Sequence, residues 1–113
     1  MPHFIVEHAD ALQNDSDCND ALKIVLDCGA SMDFIKRDDI KTRLVPYSHI
    51  LAGDGRTSFI HITVFLLAGR PDALKETLSI ALRDVLDLRF PRVQSISIDI
   101  RDMNPVCYKK RLS

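Results

Sequence analysis

The run of residues 58–67 constrains the fold more than any other part of this sequence. Its residues are mostly β-branched, aliphatic or aromatic, which are the types enriched in strands. Successive side chains of a strand point to opposite faces. One face then carries Ile60, Ile62, Val64 and Leu66, and the other carries Phe59, His61, Thr63, Phe65 and Leu67. Since both faces are largely apolar, we expect a central strand that is buried on both sides.

A strand, a helix and a second strand are predicted before this run. Residues 2–8 are rich in β-formers and alternate as a strand does. Polar residues that can cap a helix follow, and apolar residues then recur at helical spacing over 17–30. A polar connection over 34–39, which allows one helical turn, leads to a β-branched stretch at 40–47. Its Pro46 has no N–H for the sheet ladder, so we expect an edge strand or a bulge there.

A helix and a last strand are predicted after the central strand. Gly53-Asp54-Gly55 is a turn signal that precedes the central strand. Pro71 and Asp72 suit the first turn of a helix, and Phe90-Pro91 ends it. The apolar stripe of this helix would consist of Leu74, Leu78, Ala81, Leu82 and Val85. Isoleucine alternates with serine or aspartate over 93–101, which predicts the fourth strand.

The order of these elements gives two β-α-β units, about 2–49 and 58–101, followed by a short tail at 102–113. We interpret it as a degenerate duplication in a single α/β domain (α+β in some schemes) that spans residues 1–113. Right-handed crossovers would place both helices on one face of a four-stranded sheet. The face with Phe59 would then be uncovered, which predicts a contact between subunits. A ferredoxin-like domain shares the element order, so the order alone leaves the strand topology open.

The composition excludes several classes of protein. The chain of 113 residues has a net charge of -1 with acids and bases interleaved, so we expect no nucleic-acid partner. Its one basic cluster, Lys109-Lys110-Arg111, lies in the tail, where we expect a solvated end. No stretch approaches the ~18 apolar residues of a membrane span and no export signal is present, so we expect a cytoplasmic protein. Cys18, Cys28 and Cys107 match no zinc spacing and should be free thiols.

Pro2 is the first candidate for chemistry. An initiator methionine is normally removed before a small residue such as proline, which leaves a free secondary amine on a rigid ring. An α-amino group titrates near pH ~8, and burial beside cations lowers its pKa because the charged form is disfavoured. Pro2 could then act as a general base at neutral pH. With Met1 retained, the Pro2 nitrogen is an amide without basicity, so a proline with no catalytic role is the alternative.

Three cations at the ends of predicted elements are candidates for binding a substrate. Lys41 and Arg43 alternate on one strand and share a face, and Arg70 stands where the central strand gives way to a helix. Such groups beside a basic amine would bind a dianion, since arginine forms bidentate contacts with carboxylates. Alternatively, Arg70 caps local backbone and Arg43 forms a structural ion pair. His61 lies in mid-strand, where we expect a packed or interfacial histidine, and no residues have the spacing of a metal site.

Six segments over nearly the whole chain, in order, carry a resemblance to a known family. They are Pro2-His3-Phe4-Ile5-Val6-Glu7, Ile40-Lys41-Thr42-Arg43, Asp54-Gly55, Phe59-Ile60-His61, Ala68-Gly69-Arg70 and Asp99-Ile100-Arg101-Asp102-Met103 through Tyr108. Together they resemble the 5-carboxymethyl-2-hydroxymuconate isomerase family. That family belongs to the tautomerase superfamily with an amino-terminal proline, which includes 4-oxalocrotonate tautomerase and macrophage migration inhibitory factor.

The resemblance implies a tautomerase-like homotrimer that needs no metal or cofactor and moves a proton between carbon atoms of an unsaturated dicarboxylate. Pro2 matches the base, Arg70 matches an arginine of the substrate pocket, and Arg43 lies on the matching strand. Lys41 stands where some relatives have arginine, which keeps the charge but loses the bidentate geometry. One alternative is tautomerisation or hydration of another small 2-oxo or unsaturated acid. Another is a non-catalytic trimeric binding protein, if Met1 is retained.

Overall fold

The computed structural model describes residues 1–113 and contains four strands and two long helices. In chain order they are β1 (His3–Ala9), α1 (Asp15–Ala30), a 3-10 turn (Arg37–Asp39), β2 (Lys41–Pro46), β3 (Phe59–Leu67), α2 (Asp72–Arg89) and β4 (Ser95–Met103). The side chain of Asn14 accepts a hydrogen bond from the Asp17 N–H and so caps the start of α1. Neither helix is both long enough and apolar enough to cross a membrane. The bounds lie close to those predicted from the sequence.

The strands form one mixed sheet in the order β2-β1-β3-β4. β1 and β2 are parallel neighbours, β3 and β4 are parallel neighbours, and the central pair β1 and β3 is antiparallel. The two strands of each β-α-β unit are therefore adjacent, and the units pair through their first strands. This topology is the predicted duplication and excludes the split β-α-β arrangement of ferredoxin-like domains. β2 is an edge strand, as Pro46 predicted.

The core lies between the two helices and one face of the sheet. The fully buried side chains include Phe4, Val6, Val25, Ile60, Ile62, Val64, Leu78, Leu82 and Leu86. The apolar stripe of α2 differs from the predicted one, because Leu74 is exposed and Leu86 is buried instead. Leu78, Leu82 and Leu86 form a row at four-residue spacing, so the stripe is shifted by one turn towards the end of the helix.

The other face of the sheet, which we call the open face, is covered by no element of this chain. The strand register aligns its side chains in the rows Lys41-His3-Phe65-Arg101, Arg43-Ile5-Thr63-Asp99 and Val45-Glu7-His61-Ser97. Most of these side chains are half-buried. The expectation that β3 is buried on both faces is therefore wrong for a single chain, because only the helix side supplies cover.

Gly29 permits a close approach between α1 and β1. A Cβ atom at this position would lie 2.8 Å from Cζ of Phe4 and 3.3 Å from Cδ1 of Ile40. Phe4 is fully buried and cannot move without displacing other core side chains. Since Phe4 follows Pro2 and His3 directly, this contact also fixes the start of β1.

Gly29→Ala is expected to destabilise the protein by about 1–2 kcal/mol. Overpacking a core costs ~1–3 kcal/mol, which outweighs the ~1 kcal/mol by which alanine favours a helix over glycine. Urea denaturation measures the free energy of unfolding. Gly53→Ala is the matched control, because a Cβ there would meet nothing within 4 Å. Unchanged stability of Gly29→Ala would show that α1 can move away from β1 at little cost.

Candidate active site

Pro2 lies buried immediately before β1. Its carbonyl accepts a hydrogen bond of 3.0 Å from the backbone N–H of Lys41, which ties it to the start of β2. Pro2 lines a cavity of about 200 Å³ together with Met1, Phe34, Ile35, Lys36, Asp39, Leu66, Leu67 and Arg70. The structure thus brings Pro2 and Arg70, which are distant in the sequence, into one cavity.

The terminal amine of Met1 lies at this cavity among cations. It donates to the carbonyl of Asp39, which also accepts a hydrogen bond of 3.1 Å from Nζ of Lys41. Burial, then the contact with Lys41 and the charge of Lys110, lower the pKa of the amine from 8.0 to about 5. An amine in this environment is therefore largely uncharged at pH 7.

Arg70 is half-buried between β3 and α2. Its guanidinium donates to the carbonyls of Leu67 at 3.1 Å and Phe34 at 3.3 Å. Gly69, with φ at +127°, adopts a conformation that L side chains rarely allow and turns the chain sharply after β3. Arg70 does cap local backbone, but these contacts occupy only part of an arginine's donor set. Its remaining N–H groups can bind an anion in the cavity.

Arg43 lies on the open face, one row away from Lys41. Its Nη1 is 3.1 Å from Nδ1 of His3, and Nε2 of His3 is 2.9 Å from Oη of Tyr108. Arg43 does not line the cavity with Pro2, but it contacts His3, the residue that follows Pro2. Most of the C-terminal tail is exposed, as expected for a solvated end, but Tyr108 is half-buried and returns to β1.

The cations near Pro2 have no acidic partners. Lys41, Arg43 and Arg70 take part in no salt bridge, so the structural ion pair considered for Arg43 is not formed. Arginines elsewhere pair with aspartates, namely Arg37, Arg56, Arg83, Arg89 and Arg101. Unpaired positive charge close to a buried proline favours the binding of an anion and lowers the pKa of a nearby amine.

His61 lies apart from this group. Its Nδ1 is 2.6 Å from Oγ of Ser97, and it lines a separate cavity of about 310 Å³ on the open face. A larger cleft of about 460 Å³ is lined by Asp17 and Arg89, which form an ion pair with each other. Neither cavity contains Pro2 or the unpaired cations around it. We therefore place the candidate site at Pro2, although its cavity is the smallest of the three.

Sequence reasoning assigned no role to His3, to Tyr108 or to the side chains of the loop before β2. That loop contributes much of the cavity wall, through Phe34, Ile35, Lys36 and Asp39. His3 could have been identified, since strand alternation places it on the same face as the neighbouring cations. The return of Tyr108 to the sheet has no signal in the sequence pattern.

The structure brings together no group of three or more His, Cys, Asp or Glu side chains that could hold a metal ion. Cys18, Cys28 and Cys107 are free, and none of them lines the cavity. Burial raises the pKa of the Cys28 thiol, which makes it a poor nucleophile. The functional groups at the cavity are therefore the terminal amine, the cations, backbone carbonyls and the carboxylate of Asp39, whose charge opposes the lowering of the pKa of the amine.

Several solved structures share this fold. A 5-carboxymethyl-2-hydroxymuconate isomerase from Deinococcus radiodurans R1 is 21% identical over 99% of this chain and 90% of that chain, with a TM-score of 0.79. A fused 4-OT wild-type symmetric trimer is 19% identical over 96% and 90%, with a TM-score of 0.81. The macrophage migration inhibitory factor-like protein of Entamoeba histolytica is 13% identical over 99% and 96%, with a TM-score of 0.79. The chain therefore has the tautomerase fold.

The family follows from a match at the level of sequence. The family model described as 5-carboxymethyl-2-hydroxymuconate isomerase matches residues 2–111. The chain belongs to this family, as the resemblance of its motifs indicated, and is thus an isomerase. No curated protein matches the sequence significantly.

Proposed function

We propose that the protein is a cofactor-independent isomerase that moves a proton between carbon atoms of an unsaturated 2-hydroxy or 2-oxo dicarboxylate, or of a relative with a third carboxylate such as 5-carboxymethyl-2-hydroxymuconate. Pro2, freed by removal of Met1, is the general base, and Arg70, Arg43 and Lys41 bind the substrate. The observation that carries this proposal is a buried Pro2 that shares a cavity with Arg70 and is hydrogen-bonded to the backbone of Lys41, while Arg43 contacts the next residue, His3. None of these three cations has an acidic partner. Membership of the isomerase family supports the same class of reaction.

The environment of Pro2 suits a base. Pro2 is buried while Met1 is attached, and removal of Met1 would uncover part of it but leave its amine at the cavity. Burial and cations already lower the pKa of the Met1 amine to about 5. The same two causes would act on the Pro2 amine and hold its pKa below the ~8 of an ordinary α-amino group. It would then be unprotonated and able to accept a proton at pH 7.

The proposed reaction is an internal proton transfer. The lone pair of the Pro2 nitrogen takes a proton from the 2-hydroxyl group, or from the carbon next to the carbonyl, and the bonding electrons shift through the conjugated system. The protonated amine then returns the proton to the carbon at the far end of that system. Atoms and electrons balance within the substrate, so the reaction requires no oxidant, reductant or co-reactant.

The cations have separate parts in this mechanism. Arg70 shares the cavity with Pro2, so it would hold the carboxylate beside the reacting carbons and stabilise negative charge as it develops. Arg43, which contacts His3 but does not line the cavity, would hold the remote carboxylate. Lys41, between the terminal amine and Arg43, adds positive charge without the planar fork of an arginine.

The direct test uses protein that begins at Pro2, supplied with 5-carboxymethyl-2-hydroxymuconate. Loss of the dienol absorbance and incorporation of one deuteron at carbon in ²H₂O are the expected results. A product heavier by one water would instead identify a hydratase, and binding without turnover would identify a binding protein.

We also propose a cytoplasmic location and a role in the breakdown of aromatic compounds, since opening of an aromatic ring is the class of reaction that supplies such substrates.

We propose that three copies of the chain form a homotrimer. The open face carries the half-buried apolar side chains of Ile5, Phe59 and Phe65. A wet apolar face of this kind is typical of a protein interface. A fused 4-OT structure with the same fold is a symmetric trimer. Second and third copies of this chain are therefore the expected cover for the open face.

Light scattering at micromolar concentration is expected to give three times the mass of one chain. Each subunit should bury well over ~800 Å² against its neighbours, the usual area for a specific contact. Phe65→Asp, on the open face, should shift the protein towards monomer because it places a charge in the interface. Leu88→Asp is the control, since Leu88 is exposed on α2. A wild-type protein that remains monomeric would contradict the proposal.

A further inference from the structure

The hydrogen bonds around His3 determine where its proton lies. A guanidinium group can only donate, so Nδ1 of His3, 3.1 Å from Nη1 of Arg43, must be the acceptor and carry no hydrogen. In a neutral imidazole the other nitrogen then holds the proton. Nε2 of His3 therefore donates to Oη of Tyr108 at 2.9 Å. The ring of His3 also meets the ring of Tyr108 edge to face, with centroids 5.9 Å apart.

We propose that His3 and Tyr108 are positioning residues for Arg43. Tyr108 accepts the Nε2–H of His3 and so fixes the orientation of the ring, and the bare Nδ1 then fixes the guanidinium of Arg43 by accepting one of its N–H groups. The role of Arg43 in binding the remote carboxylate rests on the proposed function, whereas the hydrogen-bond chain itself does not.

The bond to Nδ1 of His3 is the only hydrogen bond of the Arg43 side chain. In a single chain, Arg43 is exposed and forms no salt bridge, unlike Arg70, which is held by two backbone carbonyls. A long exposed side chain loses rotamer freedom when it binds a ligand, and a contact that orders it beforehand reduces that loss. Tyr108 thus couples the C-terminal tail to the geometry of the site.

Burial and the neighbouring positive charges keep His3 in the neutral form that these hydrogen bonds require. Burial first, then Arg43, the terminal amine, Lys41 and Lys110, lower the pKa of His3 from its usual value. Phe65, opposite His3 on β3, contributes no charge. Protonation would place a hydrogen on Nδ1 facing a donor of Arg43 and so would break the contact. Because the pKa is lowered, this release occurs only at a pH below ~6.5, the ordinary value for histidine.

Nitrogen NMR of the histidine rings tests the first half of the proposal without any assay of activity. Wild-type protein near pH 7 is expected to show His3 as the Nε2–H tautomer, and Arg43→Ala, which removes the donor that faces Nδ1, should show a mixture of the two tautomers. A predominant Nδ1–H form in the wild type would overturn the proposal, whether or not the protein proves to be a proline-dependent isomerase.

Steady-state kinetics test whether Tyr108 affects substrate binding through Arg43. Tyr108→Phe keeps the aromatic ring but removes the hydroxyl that accepts the hydrogen bond from His3. Because one neutral hydrogen bond is lost, KM for a dicarboxylate 2-hydroxydienoate should rise roughly threefold to tenfold, with little change in kcat. The KM for a monocarboxylate that lacks the remote group should not change. Tyr47→Phe is the matched control, because it also removes a phenolic hydroxyl from the open face, but one that donates to Glu7, away from the cations.

The outcomes separate this inference from the proposed function. An unchanged KM for the dicarboxylate in Tyr108→Phe, with an active wild type, would remove Tyr108 from the site but leave the isomerase intact. An equal rise in KM for both substrates would show a general structural effect and would also contradict the proposal. In the wild type, KM for the dicarboxylate alone should rise on the acid side as His3 becomes protonated.

Discussion

Protein that retains Met1 is expected to lose at least about a hundredfold in kcat/KM compared with protein that begins at Pro2. Attachment of Met1 converts the Pro2 nitrogen into an amide, and a positioned general base contributes ~10²–10⁴-fold to a proton transfer. Intact mass identifies the two forms, and the dienol absorbance of a dicarboxylate substrate measures their rates. Two tagged variants form a matched pair, one with the tag at the N-terminus and one with the same tag after Ser113, which is exposed. Only the N-terminal tag should abolish activity.

Two further measurements define the role of the amine in this prediction. Pro2→Ala keeps a terminal amine but loses the secondary amine and the rigid ring, so it should retain some activity while losing about a hundredfold. The pH profile of kcat/KM in processed wild type should rise through an apparent pKa below ~8, because burial and cations disfavour the charged amine. Equal rates for the Met1-bearing and processed forms, measured on trimers of both, would exclude Pro2 and favour a binding role.

The strands and helices could be predicted because each buries one face, and its apolar residues therefore recur at the spacing of a strand or a helix. β3 alternates between fully buried and half-buried residues along its whole length, as its sequence pattern indicated. Pro46 likewise marked β2 as an edge strand. The pairing of strands could not be obtained in this way, because a parallel neighbour and a split arrangement follow from the same element order. Only the order of the strands in the sheet distinguishes the two arrangements.

The candidate site was predictable where local chemistry is unusual. A proline at position 2 and cations at strand ends stand out in the sequence, and Pro2 and Arg70 do line one cavity. Contacts that depend on the path of a loop or tail were missed. Phe34 contributes a backbone carbonyl to Arg70, and Tyr108 reaches His3 across 105 residues. Neither contact changes the local pattern of polar and apolar residues, so the hydrophobic periodicity of the sequence does not predict them.

Alternating faces also explain why the unpaired cations can coexist with a stable fold. Lys41 and Arg43 lie on the open face, and Arg70 lies beyond the end of β3, so none of the three enters the core between the helices and the sheet. Their mutual repulsion is therefore moderated by water in a single chain. A bound dianion would replace that water with charge-assisted contacts. The same placement makes these residues replaceable without loss of the fold, which a test of function requires.

Arg70→Ala is expected to lower kcat/KM for a dicarboxylate by roughly tenfold to over a hundredfold. The variant loses a charge-assisted contact to the carboxylate beside the reacting carbons, worth about 1.5–3 kcal/mol, and both kcat and KM should suffer because charge develops there. It also frees the carbonyls of Leu67 and Phe34, so the thermal midpoint must be measured alongside the kinetics.

Two companion variants separate the loss of the substrate contact from the loss of this structural support. Arg70→Lys keeps the charge without the planar fork and should recover only part of the rate lost in Arg70→Ala. Arg83→Ala removes an exposed arginine paired with Asp84 and should leave the rate unchanged. If Arg70→Ala remained trimeric with kcat/KM equal to that of Arg83→Ala, Arg70 would only support the loop before β2, and the substrate carboxylates would have to be bound by Arg43 and Lys41 alone.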